Sequence, residues 1–129
     1  MEWRVIGIKD YSAIENMSID HAIYESVKNG NSIPTIRFYR WNNGGVSIGL
    51  GQNSSIVNIR ACEQNSVGYV RRPTGGNVVY HHPYDFTYSV IADNSVFDRS
   101  FNNRFLKKRG VLINRAAYDT IREWIIKPI

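Results

Sequence analysis

The sequence predicts an α+β fold: a mixed, largely antiparallel sheet flanked by helices. Three observations carry that prediction. Five to six short runs are rich in β-branched and aromatic residues and are bounded by Gly, Pro or Asn, as strands are. Only a few segments have helical periodicity, and the first opens on the capping-box pattern Ser12 to Glu15. Strands and helices follow one another in mixed order rather than in strict alternation. A chain of 129 residues with 43% hydrophobic and 12% aromatic residues is long and apolar enough for one domain with a core.

Taken in order, residues 3–8 alternate weakly and read as a strand. A helix follows Ser12 and runs to about Asn29, where Asn29-Gly30-Asn31 stops it. Ile19, Ala22, Ile23 and Val27 form its expected apolar stripe. Pro34 opens a strand from Thr35 to Trp41, with Ile36, Phe38 and Arg40 on one side and Arg37, Tyr39 and Trp41 on the other. Asn42-Asn43-Gly44-Gly45 reads as a hairpin turn that returns residues 46–50 as the paired strand. Gln52 follows, where its side chain could reach a site. Residues 56–65 read as a short helix with Cys62 as a small core residue. Residues 67–71, 77–81 and 86–92 read as three more strands. Beyond Ala92 the chain turns polar and basic, with a short helix expected near 101–108. A second helix is expected from Arg115, its stripe formed by Ala117, Ile121, Trp124 and Ile125.

One stretch concentrates chemistry: Arg71-Arg72-Pro73-Thr74-Gly75-Gly76-Asn77-Val78-Val79-Tyr80-His81. Arginine forks match phosphate or carboxylate oxygens. Paired glycines let backbone N–H groups approach a ligand, and Thr74 adds a hydroxyl. The flanking strand would hold the loop on a rigid element. On residue types alone, an anion site and a basic hairpin turn are equally good readings.

The stretch resembles the signature loop of the lipoate–protein ligase A family and the related octanoyltransferases, R-R-x-[ST]-G-G-x-x-V-[FY]-H. Asn77 stands where ligases commonly have a third glycine. The resemblance extends, in the family's order, to Asn16-Met17-Ser18-Ile19-Asp20, to residues 34–41, to Ser47-Ile48-Gly49-Leu50-Gly51-Gln52 and to residues 85–90. It implies a fold like the class II aminoacyl-tRNA synthetase and biotin synthetase catalytic domains, present here as its first half. It also implies activation of lipoate or octanoate with ATP and Mg2+, then transfer to a lysine of a lipoyl-domain protein. Arg71, Arg72, Thr74, Gly75, Gly76, Asn77, Val78, Val79, Tyr80 and His81 would bind substrate and nucleotide. Arg72 would contact the carboxylate or phosphate, and His81 would orient the loop or bond to the ligand. Arg37 and Trp41 could help line the acyl pocket.

The family's ligases carry a lysine in a K-[VI]-x-G-x-A motif beyond this region, and its octanoyltransferases an acyl-accepting cysteine. The sequence has neither: Lys107 and Lys108 lack the Gly-x-Ala context, and Cys62 is not at the transferase position. Three readings follow. The chain is the first half of a ligase, expected to be inactive alone; or a transferase half-site fed by an acyl carrier; or a non-catalytic binding module. A complementary C-terminal polypeptide, or self-association through 115–126, would cover the apolar stripe there.

The formal charge of +5 is uneven. Residues 1–98 carry 8 basic and 9 acidic side chains, and residues 99–129 carry 8 basic and 2 acidic. That basic end lacks the interleaved aromatics of a single-strand binder, so a solvated or protein-docking face is expected rather than a nucleic-acid site. No apolar run approaches the ~20 residues that span a bilayer. Residues 1–4 show no signal-peptide pattern, and a single cysteine forms no internal disulfide; both fit a cytoplasmic protein. His81 and His82 would point to opposite faces of a strand, so no metal site is expected from them.

Overall fold

The computed structural model describes residues 1–93, 95 and 96. The helices expected at 101–108 and 115–126, and with them the proposed association surface, lie outside the described residues. The elements below all belong to the unit Met1–Ala92. In order they are β1 (Arg4–Tyr11), α1 (Ala13–Lys28), β2 (Thr35–Trp41), β3 (Gly45–Ile48), a 3-10 turn (Ser54–Ile56), α2 (Ile59–Gln64), β4 (Gly68–Arg71), β5 (Val79–His81) and β6 (Thr87–Ile91).

The α+β class and the mixed pairing are as the sequence predicts. The single, largely antiparallel sheet is not. There are two three-stranded sheets, β1-β2-β6 and β4-β3-β5. Each has one parallel pair, β1 with β2 and β3 with β4, and one antiparallel pair, β2 with β6 and β3 with β5. The predicted hairpin between residues 35–41 and 46–50 is therefore corrected. The turn itself forms, with Asn43 at φ 56 and Gly44 at φ 74. But β2 already has a partner on each edge, so β3 has no ladder to join and starts the second sheet. The expected helix at 56–65 is divided into the 3-10 turn and α2, with Asn58 accepting from the Ala61 N–H at the start of α2.

Helix α1 starts where the sequence says. Ser12 accepts from the Glu15 N–H at 3.2 Å and the Glu15 carboxylate accepts from the Ser12 N–H at 2.9 Å. The Ser12 backbone N–H, and after it the Ser12 hydroxyl, hold the Glu15 carboxyl below its ordinary value. The helix ends at Asn29, and Gly30 takes φ 72. The predicted apolar stripe, however, is rotated. Ala22 is exposed and the buried residues are Ala13, Asn16, Asp20 and Val27. The helix lies toward the sheets on a partly polar face, because β2 presents a charge there.

That charge is Arg37, 1% exposed. Its Nη1 donates to Asp20 Oδ1 at 2.8 Å and to the Asn16 carbonyl at 3.2 Å, and its Nη2 to Asn16 Oδ1 at 2.6 Å. The Asp20 carboxylate also accepts from Tyr39 OH at 3.0 Å and Ser89 Oγ at 2.9 Å. Asn16 Nδ2 donates to the Arg40 carbonyl at 3.0 Å. The guanidinium lies over the Tyr39 ring at 4.1 Å, a cation–π contact. Every buried side-chain polar atom among the described residues has a partner, as a buried charge requires. Burial and the neighbouring carboxylate push the Tyr39 phenol up, so it remains a donor.

The apolar core is the cluster Ala13, Tyr39 and Trp41, with Met17 and Val70 packed against it. It lies where the start of α1 meets both sheets. A Cβ on Gly68 would stand 2.8 Å from that of Ala13, and one on Gly45 would stand 2.7 Å from the Trp41 ring. Both glycines are there for close approach.

Removing one partner of a buried ion pair costs about 3–5 kcal/mol, against about 0–1 for an exposed pair. Asp20→Ala is therefore expected to lower unfolding free energy in urea by about 3–5 kcal/mol. Asp10→Ala, which breaks the exposed Asp10–Arg40 pair, is expected to cost about 1 kcal/mol or less. Equal effects would show that the Arg37 network does not anchor the helix.

Candidate functional site

The loop from Arg72 to Val78 leaves β4 and enters β5, and it rests on the turn that follows β3. The Leu50 N–H donates to the Thr74 carbonyl at 2.8 Å, and the Arg72 N–H to the Ile48 carbonyl at 3.0 Å. The contact is so close that a Cβ on Gly49 would overlap the Gly76 carbonyl oxygen at 2.1 Å. Gly76 itself has φ 95, and a Cβ there would meet Arg72 Nη2 at 3.0 Å. Gly75 differs: nothing lies within 4 Å of its absent Cβ, so its bare backbone faces open space.

The two arginines do something the sequence did not disclose. Arg71 Nη1 donates to three carbonyls of the neighbouring turn, Gly49 at 2.9 Å, Leu50 at 3.1 Å and Gln52 at 2.7 Å. Arg72 Nη1 donates to the Ser47 carbonyl at 3.0 Å and to Ser47 Oγ at 3.2 Å. Its Nη2 donates to the carbonyls of Gly75 at 2.8 Å and Asn77 at 2.7 Å. The fork expected to meet an anion bidentately is thus spent on the protein's own backbone, and four of the five donors of Arg72 are engaged. Partial burial lowers the Arg72 pKa from its ordinary value, though the group stays a cation.

The consequence is a loop with its polarity sorted. The carbonyls of Thr74, Gly75 and Asn77 turn inward, to Leu50 and Arg72. The N–H groups of Thr74, Gly75, Gly76 and Asn77 donate to no acceptor among the described residues. Successive amides with no acceptor among the described residues, beside a guanidinium, are a donor set suited to an anion or a developing oxyanion.

Strand β5 carries the site's histidine. The His81 ring stacks on Trp41 with centroids 4.0 Å apart and planes 8° apart. Its Nε2 lies 2.8 Å from Ser47 Oγ. Burial, then the Arg72 charge, lower its pKa, and Asp85 opposes them. At neutral pH the ring is uncharged. Val78, Val79 and Tyr80 are 38%, 43% and 56% exposed, so the strand beside the loop presents apolar surface outward.

Other expected residues are placed elsewhere. Arg37 is consumed by Asn16 and Asp20, which removes it from any acyl pocket. Trp41, 1% exposed, is the shelf beneath His81 and not an open wall. The Gln52 side chain turns back to accept from the Gly49 N–H at 2.9 Å. Cys62 is buried in α2 as a core residue. Among the described residues no three His, Cys, Asp or Glu come together to hold a metal. The residue missed by the sequence reading is Ser47. Its signal was a small hydroxyl between Val46 and Ile48 in a strand, at 1% exposure.

The sequence matches the lipoyl protein ligase A/B catalytic domain over residues 12–118. It is 40% identical over 104 residues to the octanoyltransferase LipM of Clostridioides difficile, covering 78% of this chain and 38% of that protein. It is 43% identical over 90 residues to LipM of Symbiobacterium thermophilum, covering 69% and 32%. The chain thus spans about a third of these relatives' length. Among solved structures, a lipoate-protein ligase A bound with ATP is similar with a TM-score of 0.61 and 32% identity, over 76% of this chain and 42% of that one. An archaeal bi-partite lipoate protein ligase from Thermoplasma acidophilum, described with its E2 lipoyl domain, gives 0.57 and 30% over 77% and 40%.

Two outcomes test this geometry. Gly76→Val forces a branched side chain to positive φ against Arg72 and is expected to cost about 1–3 kcal/mol; Gly75→Ala, facing open space, is expected to stay within about 0.5 kcal/mol of the parent. Thermal denaturation of both checks it, and an inverted order would refute the loop's conformation. The second concerns pH. The folded His81 has a pKa below the 6.5 of an ordinary histidine, so above pH 6.5 both states are neutral and its contribution is complete. As the pH falls through 6.5 toward the folded value, the unfolded state takes up the proton first and stability is lost. His81→Asn should flatten that part of the stability–pH curve.

Proposed function

The chain belongs to the lipoyl protein ligase A/B catalytic-domain family, and from that premise we propose that it forms the acyl-binding part of an enzyme that transfers a lipoyl or octanoyl group to a lysine of a lipoyl-domain protein. The observation that carries the proposal is the sorted loop: carbonyls clamped inward by Arg72, and the N–H groups of residues 74–77 with no acceptor among the described residues. Such a set offers positive potential without a mobile side chain.

In the ligase reading the substrates are lipoate and Mg2+–ATP. The acyl carboxylate attacks the α-phosphate, and two anions must be brought together. The amides of Gly75, Gly76 and Asn77 offset that repulsion and the charge that develops. Arg72 holds the amides in place and adds its cationic field. The exposed apolar strand at Val78 to Tyr80 lies along the ligand. Pyrophosphate leaves, and the lysine amine then displaces AMP. The adenylation lysine is no part of residues 1–129. The bi-partite Thermoplasma ligase supports a reading in which another polypeptide supplies it.

A second reading draws support from the curated relatives, which are named octanoyltransferases. Here the octanoyl group comes from an acyl carrier protein and ATP is not used. The same amides would stabilise the thioester's oxyanion, and the attacking cysteine would come from outside this chain's sequence.

Calorimetric titration with a lipoyl- or octanoyl-adenylate analogue tests the common part. Arg72→Ala is expected to weaken binding about tenfold or more, because it removes the charged hydrogen bonds, about 1.5–3 kcal/mol each, that clamp the Gly75 and Asn77 carbonyls and so orient the amides. Unchanged affinity would take Arg72 out of the site. Acylation of a lipoyl domain, with a fragment carrying K-x-x-G-x-A or the transferase cysteine added, separates the donors. Support by ATP alone indicates the ligase, and support by octanoyl-acyl carrier protein alone the transferase. No turnover with either fragment would indicate a non-catalytic binding module. Residues 1–129 by themselves are expected to give no ATP–pyrophosphate exchange.

A further inference from the structure

We propose that Ser47 is a positioning residue that fixes the tautomer of His81, holding the ring proton on Nδ1 so that the imidazole serves the site as a neutral donor and not as a base through Nε2. The argument is a count of protons. Ser47 is buried, and its Oγ meets two groups: Arg72 Nη1 at 3.2 Å and His81 Nε2 at 2.8 Å. The guanidinium can only donate, so it takes one lone pair of Oγ. If His81 carried its proton on Nε2, it would donate to the other lone pair. The buried Ser47 hydroxyl would then have no acceptor for its own proton, and a buried donor left unpaired is strongly disfavoured. The arrangement closes only when Arg72 donates to Ser47 Oγ and the Ser47 hydroxyl donates to His81 Nε2. Nε2 is then the acceptor nitrogen, and the proton is on Nδ1.

The surroundings agree. The groups facing His81 are Ser47 from β3, the Trp41 face from β2, Arg72 at the start of the loop, and Asp85 beyond β5. A doubly protonated ring would recreate the orphaned hydroxyl and place a second cation near Arg72; burial, then that Arg72 charge, lower the His81 pKa. Asp85 opposes this, but its Oδ2 already accepts the His82 N–H at 2.8 Å. The unit Arg72–Ser47–His81 therefore couples the loop that clamps the amides to the strand that leaves it. Which ligand atom the Nδ1–H meets rests on the acyl-transfer reading; the tautomer itself rests only on the geometry.

The test is long-range proton–nitrogen correlation NMR of the full chain, nitrogen-labelled, followed with pH and without any ligand. The parent is expected to show His81 protonated on Nδ1 and bare on Nε2 across the neutral range. Ser47→Ala is expected to lose that preference, with an Nε2–H form appearing, and to titrate at higher pH than the parent. Ser47→Thr, which keeps the hydroxyl, should restore both, while His21 and His82 stay unchanged throughout. An Nε2–H tautomer in the parent overturns the proposal, as does Ser47→Ala with the parent's tautomer and midpoint. If the alanine variant does not fold, the parent spectrum alone decides. Because no ligand is present, failure here would leave the acyl-transfer reading standing, and failure of that reading would leave the tautomer standing.

Discussion

The buried guanidinium of Arg37 is the interaction on which the rest of the structure depends. An apolar helix face can slide or rotate on a sheet at modest cost, but a planar fork with fixed donors cannot be satisfied in more than one way. Arg37 requires Asn16 and Asp20 one helical turn apart, and Asp20 in turn collects Tyr39 and Ser89. Together these bonds set the rotation of α1 over the first sheet. That rotation places Ala13 against Gly45, Gly68 and Trp41, which is how the second sheet is seated. Trp41 then carries the His81 ring. A charge in β2 is in this way connected, by contacts that leave little freedom, to the residue at the end of the signature strand.

The same side-chain chemistry is used again at the loop, for a different end. Arg71 and Arg72 neutralise carbonyls rather than an external anion, and in doing so they choose which side of the loop is acceptor and which is donor. A site made of oriented amides needs no reorganisation when charge develops against it. Its demands fall on the glycines instead: Gly49 because a Cβ would strike the Gly76 carbonyl, Gly76 because of its positive φ. Asn77, where ligases of the family commonly have glycine, takes part through its carbonyl, which any residue could supply. The departure from the motif therefore leaves this contact unchanged.

Much was legible in the sequence by itself. The capping box at Ser12, the stop at Gly30, the alternation of residues 35–41, the core position of Cys62 and the glycine loop all depend on neighbours within a few residues. Local sterics and period settle those. The family, too, could be recognised from motif order over residues 3–92. What the sequence did not reveal is how polar groups are divided between protein and solvent. The apolar stripe drawn through Ala22 lost to a face containing Asn16 and Asp20, because the deciding partner is Arg37 on another element. The strand after Gly45 left the first sheet because both edges of β2 were taken by segments remote in sequence. Arg72 looked like a ligand for an anion and proved to be a clamp, and Ser47, quoted only as part of a strand motif, was given no role. Hydrogen-bond pairing is decided by distance and angle between residues far apart in the chain, and only the tertiary structure brings those together.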